Sequence, residues 1–194
     1  RVINLSWTSG CSNNIYIQDV IDEVYNNGSI VVASAGNGST CGGASNLVYP
    51  AAFDHVIAVS SIGPLDNHER VIGDASTTHQ HNSSVDICAP GYDVPLSGGP
   101  GWYLTANGTS FASPLVSGTI GLILSARPCL TFEEVQEILT LTAVNIDSLN
   151  PNYAGNLGAG RMDAGAACKL ALTYGCEVAD NGTDNTGVVI APTA

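Results

Sequence analysis

One serine lies where a nucleophile would gain most from its surroundings. Ser110 comes two residues after Gly108, at the first turn of a predicted apolar helix, in the segment Asn107-Gly108-Thr109-Ser110-Phe111-Ala112-Ser113-Pro114. A helix N-terminus has unpaired backbone N–H groups and partial positive charge, which stabilise an oxyanion that forms beside the serine oxygen. The segment therefore favours a reactive serine, although Thr109 or Ser110 could also serve only as a helix cap.

A second candidate is an amide side chain at the end of a predicted strand. Residues 30–34 form an apolar run that continues through small residues to Asn37. The carboxyl ends of parallel strands are where α/β sheets bind ligands, and an asparagine there can donate its side-chain N–H to an oxyanion. The alternative is a turn formed by Asn37 and Gly38.

Taken together and in this order, these segments resemble the subtilases, the subtilisin-like serine proteases. The matching segments are residues 2–6, 32–37, 49–51, 56–59, 85–91 and 108–114. The Gly-Thr-Ser-x-Ala-Ser-Pro block at 108–114 is specific to that family. The six segments lie between residues 2 and 114, and the resemblance covers roughly residues 2 to 167. The resemblance implies the family's fold and a protease active site.

The resemblance also implies roles for individual residues. It makes Ser110 the acylated nucleophile, and the Asn37 side chain and Ser110 backbone N–H the oxyanion donors. It predicts a substrate cleft with one edge at Leu5, Ser6 and Trp7, a pocket wall of Ala33, Ser34, Ala35 and Gly36, a floor near Tyr49 and Pro50, and Gly108 and Thr109 before the nucleophile. Such small, uncharged walls favour an apolar or medium-sized substrate side chain.

The other two members of the catalytic triad have no evident match. The family order is Asp, His, Ser, and both the Asp-x-Gly and His-Gly-Thr motifs precede the strand that corresponds to residues 2–6. None of the histidines (His55, His68, His79 and His81) is followed by glycine. We therefore expect ordinary surface or loop positions for all of them, with a metal held by His79 and His81 as the alternative, and we expect that an N-terminal portion has been removed.

The composition excludes some partners and suggests a compartment. Seventeen acidic residues and five basic residues give a net charge of −12, so we expect neither nucleic acid nor an anionic membrane as a partner. No apolar run reaches the roughly 18 residues of a membrane span. Six cysteines favour disulfides in an oxidising compartment, and their pairing is left open, with Cys88 predicted as a free core cysteine.

Periodicity predicts an α/β fold with a mostly parallel sheet, a three-layer α/β/α arrangement that is incomplete at the N-terminal side. Predicted strands cover residues 2–6, 30–34, 56–60 and 85–89, and predicted helices cover 17–25, 110–126, a segment opening at Thr131, and 164–172. We assign residues 1–172 to the C-terminal part of a subtilase catalytic domain and residues 173–194 to an acidic, turn-rich tail or linker.

These expectations define a secreted serine endopeptidase with a polypeptide substrate, in which the missing N-terminal part acts in cis or as a separate chain. The alternative is a non-catalytic fragment that binds peptides or assembles with partners. The chemistry requires no cofactor. The resemblance is compatible with a structural calcium ion at Ala51, Phe53, Val56 and Asp86, although Asp86 could instead cap a turn or form a salt bridge.

Overall fold

A computed structural model describes residues 1–176 of the chain. Its strands are β1 (Val2–Leu5), β2 (Ile30–Ser34), β3 (Val56–Ile62), β4 (Ile87–Pro90), β5 (Val94–Gly99) and β6 (Trp102–Ala106). Its α-helices are α1 (Ile15–Asn26), α2 (Thr109–Ala126), α3 (Phe132–Thr142) and α4 (Ala164–Ala171). Short 3₁₀ helices cover Thr40–Gly42, Ala75–Thr77, Asp147–Leu149 and Pro151–Tyr153.

The first four strands form one parallel sheet in the order β1-β2-β3-β4. Strand β2 is buried throughout, and its side chains alternate between the two layers of helices. Ile30 and Val32 pack in the same core as α2, whereas Val31 and Ala33 pack with Ile21 of α1. Helices therefore cover both faces of the sheet, which confirms the predicted three-layer α/β/α fold.

Helix α2 crosses the centre of the sheet. Its fully buried side chains, among them Val116, Ile120 and Ile123, pack against the strands. The helix is 18 residues long with a mean hydropathy of 1.3, so by length and composition it could cross a membrane. The expectation that no apolar segment reaches this length was wrong, because the small residues between the apolar ones are also uncharged. In this fold its apolar side forms the core.

Other elements follow local sequence signals closely. Asn14 caps α1 by accepting a hydrogen bond from the backbone N–H of Tyr16. Thr131 and Glu134 form the predicted capping box at the start of α3. Strand β4 begins at Ile87 rather than at residue 85, although the backbone N–H of Asp86 still donates to Ala58.

The antiparallel ribbon of β5 and β6 was not predicted. Glycine and proline interrupt its alternation, and the glycines make room for the Trp102 indole. A Cβ at Gly98 would lie 2.3 Å from Cζ3 of Trp102. The same residues that normally indicate a loop are thus required here by packing inside a hairpin.

Four cysteines form two disulfides in the described residues, Cys11–Cys41 and Cys129–Cys176. Cys88 is a buried free thiol, as predicted, and burial raises the pKa of its thiol. Cys168 is also free. The second disulfide ties the start of the predicted tail to the loop before α3, while the rest of that tail lies outside the described residues.

Candidate active site

Ser110 occupies the first turn of α2, at the carboxyl end of the sheet. Gly108 precedes the helix in an extended conformation, and its backbone N–H donates to the carbonyl of Gly91 at 2.8 Å. A Cβ at Gly91 would lie 2.4 Å from Oγ of Ser61 and 2.9 Å from the carbonyl oxygen of Gly108. Only glycine at this position lets the end of β4 and the start of α2 approach so closely.

Two hydrogen bonds join Ser110 to Ser6, just beyond the end of β1. The Ser110 hydroxyl donates to the Ser6 carbonyl at 3.3 Å, and the Ser6 hydroxyl donates to the Ser110 carbonyl at 2.9 Å. That carbonyl is available because Pro114, one helical turn later, has no backbone N–H to donate. Pro114 and Ser6 together therefore fix the first turn of α2 against β1.

Asn37 is bound to the same turn through its carbonyl oxygen. Oδ1 of Asn37 accepts from the backbone N–H of Thr109 at 2.9 Å and from its hydroxyl at 3.0 Å. The Thr109 hydroxyl in turn accepts from the backbone N–H of Gly36 at 3.1 Å. These donors fix the orientation of the amide, because only its oxygen can accept both bonds.

Two N–H donors remain free beside the serine. Within residues 1–176, Nδ2 of Asn37 and the backbone N–H of Ser110 donate no hydrogen bond. Ser110 is the second residue of α2, so its N–H has no acceptor within the helix. Asn37 is exposed and Ser110 is half-buried, so a ligand can reach both. This arrangement can stabilise a negative oxygen next to the Ser110 hydroxyl.

The structure divides the predicted cleft residues between two places. Ser6, Gly108 and Thr109 lie against Ser110 or Asn37, and the stretch Ala33, Ser34, Ala35 and Gly36 is buried at the end of β2 that leads to Asn37. Leu5, Trp7 and Pro50 instead line an apolar cavity of about 360 Å³ beside α1. Tyr49 packs against Phe53 in the core of that layer. Their substrate-binding roles stay predictions.

All four histidines lie in loops, as predicted, but two of them are buried rather than on the surface. His68 is fully buried and His79 is 9% exposed. Nδ1 of His79 contacts Oγ of Ser61 at 2.9 Å, and Nε2 of His68 contacts Nδ1 of His81 at 3.1 Å. Burial lowers the pKa of both His68 and His79 to about 4. Neutral imidazoles fill this part of the core, and none of them hydrogen-bonds to Ser110.

The predicted calcium ligands do lie around one cavity. Ala51, Phe53, Val56 and Asp86 are among the residues that line a space of about 490 Å³. Both carboxylate oxygens of Asp86 already have donors, namely the backbone N–H of Ala58 at 2.7 Å and Nε2 of Gln136 at 3.0 Å. Burial raises the pKa of this carboxyl. A cation would therefore compete with Gln136 for Asp86, and calcium binding stays a prediction.

No group of three or more His, Cys, Asp or Glu residues in the described part of the chain is arranged to hold a metal ion. His79 and His81, the alternative metal pair, direct their Nδ1 atoms at different partners. His55 lies elsewhere, stacked on Tyr25 and paired with Asp22 at 2.9 Å.

Comparison with known sequences identifies the family. A sequence model described as the Subtilase family matches residues 1–175. The chain belongs to the subtilase family. It is 36% identical over 145 residues to subtilisin DY of Bacillus licheniformis, covering 75% of this chain and 50% of that protein. It is 38% identical over 146 residues to the halolysin-like extracellular serine protease Nep of Natrialba magadii, covering 75% of this chain and 24% of that protein.

Solved structures of proteases share the fold of this chain. A protease from Pseudoalteromonas arctica superposes with a TM-score of 0.70 at 28% identity, covering 88% of this chain and 51% of that one. The patellamide maturation protease PatA superposes with a TM-score of 0.71 at 26% identity, covering 88% of this chain and 62% of that one. This subtilase chain spans about half the length of the first two subtilisins it matches.

One buried residue next to the site was missed by sequence reasoning. Gln80 is fully buried and hydrogen-bonds to the loop that contains Asn37. The segment around it is polar and lies between two strands, which is typical of an exposed connection. Only the folded structure shows that this segment packs behind the site.

Proposed function

We propose that this chain is the nucleophile-bearing part of a secreted serine endopeptidase. The observation that supports this most directly is the position of the Ser110 hydroxyl beside two free donors, Nδ2 of Asn37 and the N–H of Ser110. A helix cap alone would not require an asparagine from another strand end with its amide hydrogens unbound. Membership of the subtilase family supports the same chemistry.

In the proposed mechanism, Oγ of Ser110 attacks the carbonyl carbon of a peptide bond. The electron pair of that carbonyl moves onto its oxygen, which Asn37 and the Ser110 N–H stabilise as an oxyanion. Collapse of this intermediate breaks the C–N bond, leaves an ester on Ser110 and releases the amine with the proton taken from the serine. Water then hydrolyses the ester by the same steps.

The proton transfer requires a base that none of the described histidines supplies. The Ser110 hydroxyl proton is directed at the Ser6 carbonyl, which is too weak a base to take it. By the family's order, the His and its orienting Asp belong to the part of the domain before residue 2. Loss of triad members lowers kcat by several orders of magnitude, so the chain by itself is nearly inactive.

The sheet has a suitable surface for that N-terminal part, acting in cis or as a separate chain. Strand β1 is the edge of the sheet in the described residues. Beside it lies an apolar face made of Ile3, Trp7, Tyr16 and Val20, each between 38% and 78% exposed. An unpaired edge next to exposed apolar side chains is a surface that a further strand and helix would cover.

The substrate and compartment follow from the family and the cysteines. A polypeptide is the substrate class of a protease. Two disulfides and an extracellular relative support a secreted protein.

A serine-directed phosphonate tests the nucleophile. We expect the full-length gene product to hydrolyse a peptide substrate and to be labelled at Ser110, as mapped by mass spectrometry. Ser110→Ala should abolish both. Ser117→Ala is a matched control on the same helix, because its hydroxyl contacts only Asn4 and the Ser113 carbonyl. It should keep both activity and label.

Other results would contradict the proposal. A folded full-length protein that is neither labelled nor active would exclude the protease. If that protein still bound peptides, the non-catalytic alternative would hold instead. Equal labelling of wild type and Ser110→Ala would assign the nucleophile to another residue.

A further inference from the structure

A buried segment lies directly behind the loop that presents Asn37. We call residues 78–82 the strap and residues 36–44 the Asn37 loop. The backbone N–H of Gln80 donates to the Gly36 carbonyl at 3.1 Å, and that of His81 donates to Ala44 at 2.8 Å. Two main-chain bonds thus join the strap to the two ends of the Asn37 loop.

The side chain of Gln80 makes three more bonds to the same loop. Oε1 accepts from the backbone N–H of Gly38 at 2.8 Å. Nε2 donates to the carbonyls of Thr40 and Gly43, both at 3.0 Å. Gln80 is fully buried, so water cannot replace these bonds without opening the loop. One amide group therefore sets the path of the chain on the C-terminal side of Asn37.

The contact between strap and loop leaves little free space. A Cβ at Gly36 would lie 3.0 Å from Oε1 of Gln80, and a Cβ at Gly38 would lie 2.4 Å from the Thr78 carbonyl oxygen. Gly38 also has a φ of +71°, which favours glycine. Because both neighbours of Asn37 touch the strap, a shift of Gln80 must move Asn37 itself.

We propose that Gln80 is a positioning residue, which holds the Asn37 loop so that Nδ2 of Asn37 points at the oxyanion. This inference rests on the proposed protease function. It assigns a role to a residue that touches neither the substrate nor Ser110. Oxyanion donors act only when their position is held to a fraction of an ångström, so a relaxed loop lowers kcat more than it changes KM.

We call the three hydrogen bonds between the Gln80 side chain and the Asn37 loop the clamp. Their chemistry allows a specific test. All three partners of the Gln80 side chain are backbone groups, and no charged side chain bonds to it in the described residues. The flanking titratable groups face other residues, since His79 contacts Ser61 and His81 contacts His68. A carboxyl in place of the amide would donate to a carbonyl only while it is protonated.

The experiment compares kcat of Gln80→Glu and wild type in the full-length protein from pH 5.5 to 9. We expect the variant to fall about 10- to 100-fold below wild type at pH 9. The ratio of the variant's kcat to that of wild type should recover toward low pH as the new carboxyl regains its proton. The KM of the variant should stay within about twofold of the wild-type value. Gln80→Met, which can neither donate nor accept in this way, should lose kcat without that recovery.

Asn150→Asp is the matched control. The Asn150 side chain is also buried, accepts from the His68 N–H at 2.7 Å and donates to two carbonyls, those of Asp66 and Ile146, at 2.9 Å. It forms the same kind of clamp but has no bond to the Asn37 loop. The ratio of kcat for Asn150→Asp to kcat for wild type should not vary with pH. The same pH recovery in this variant, or a pH-independent ratio for Gln80→Glu, would overturn the proposal.

Amide hydrogen exchange provides a second readout that does not depend on activity. In the wild-type chain, the Gly38 N–H should exchange slowly because Gln80 binds it. Fast exchange at Gly38 would overturn the clamp even if neither Gln80 variant folds. No hydrolysis by the folded wild-type protein would instead overturn the protease function, and the catalytic role of Gln80 with it, whatever the exchange at Gly38.

Discussion

Asn37 accepts two hydrogen bonds from Thr109 through its side-chain oxygen, while its amide hydrogens have no acceptor among residues 1–176. The sequence predicts Asn37 as an oxyanion donor, because this asparagine follows an apolar strand. It did not indicate what orients the amide, since Thr109 reaches its oxygen only in the folded chain. The bond between Ser6 and the carbonyl freed by Pro114 was missed for the same reason. Strand and helix patterns reveal elements, but not which side chains meet between them.

At this scale, and on the proposed protease function, we expect Asn37→Leu to lower kcat of the full-length protein by about 10²- to 10³-fold, with KM nearly unchanged. This range is the one found for the equivalent donor of subtilisin. The physical reason is that the oxyanion forms only after attack, so the ground state loses little. Steady-state kinetics with one peptide substrate measures both constants. A loss confined to KM would show that Asn37 binds substrate rather than the transition state.

The buried histidines give a prediction about stability and pH. The folded pKa of His68 and His79 is about 4, below the ordinary 6.5, so both stay neutral in the fold and take up protons on unfolding between these values. The contribution of these two neutral histidines to the free energy of unfolding is complete above pH 6.5 and is lost as pH falls toward 4. Each adds a slope of up to about 1.4 kcal/mol per pH unit.

Urea unfolding of the chain between pH 5 and 6.5 measures that slope. The free energy of unfolding should decrease as pH decreases. His79→Gln should reduce this slope by the amount that roughly one proton accounts for, about 1.4 kcal/mol per pH unit, because glutamine cannot titrate. Comparison of wild type and His79→Gln at pH 8 gives the change in the free energy of unfolding that the substitution itself causes. An unchanged slope in the variant would mean that His79 is protonated in the folded protein.

At the scale of elements, the strands and helices were largely predictable and their exceptions have identifiable causes. Continuous apolar runs predicted the four parallel strands, and helical spacing predicted α1 to α4 within a few residues. The ribbon of β5 and β6 was missed because Gly98 makes room for Trp102. The strap was missed because its polar residues are satisfied by buried partners, which composition does not reveal.

The central position of α2 leads to a test of the core. Ile120→Ala should lower the free energy of unfolding by about 2–5 kcal/mol, because Ile120 is fully buried between the helix and the sheet. Leu122→Ala on the same helix is a matched control, since Leu122 is 60% exposed. It should change stability by less than about 1 kcal/mol. Urea denaturation compares the two, and equal losses would contradict this packing.

At the scale of the whole molecule, the exposed edge and the charge define how this chain meets other proteins. A net charge of −12 keeps copies of the chain apart, while the apolar face beside β1 favours a partner that covers it. The core on the other face of the sheet is complete, since α2, α3 and α4 bury their apolar sides there. One exposed apolar face thus lies next to the strand that ends at Leu5.

The last prediction is that a separately produced N-terminal half of the domain binds this chain through that surface. Val20→Asp should weaken the complex at least about 10-fold, because it would bury a charge in an apolar contact. Leu122→Asp is the control, as it places the same charge at a similarly exposed leucine on α2. Titration calorimetry gives both affinities, and hydrolysis by the mixture should follow them. Equal weakening by the two variants would place the interface elsewhere, because only Val20 belongs to the apolar cavity beside β1.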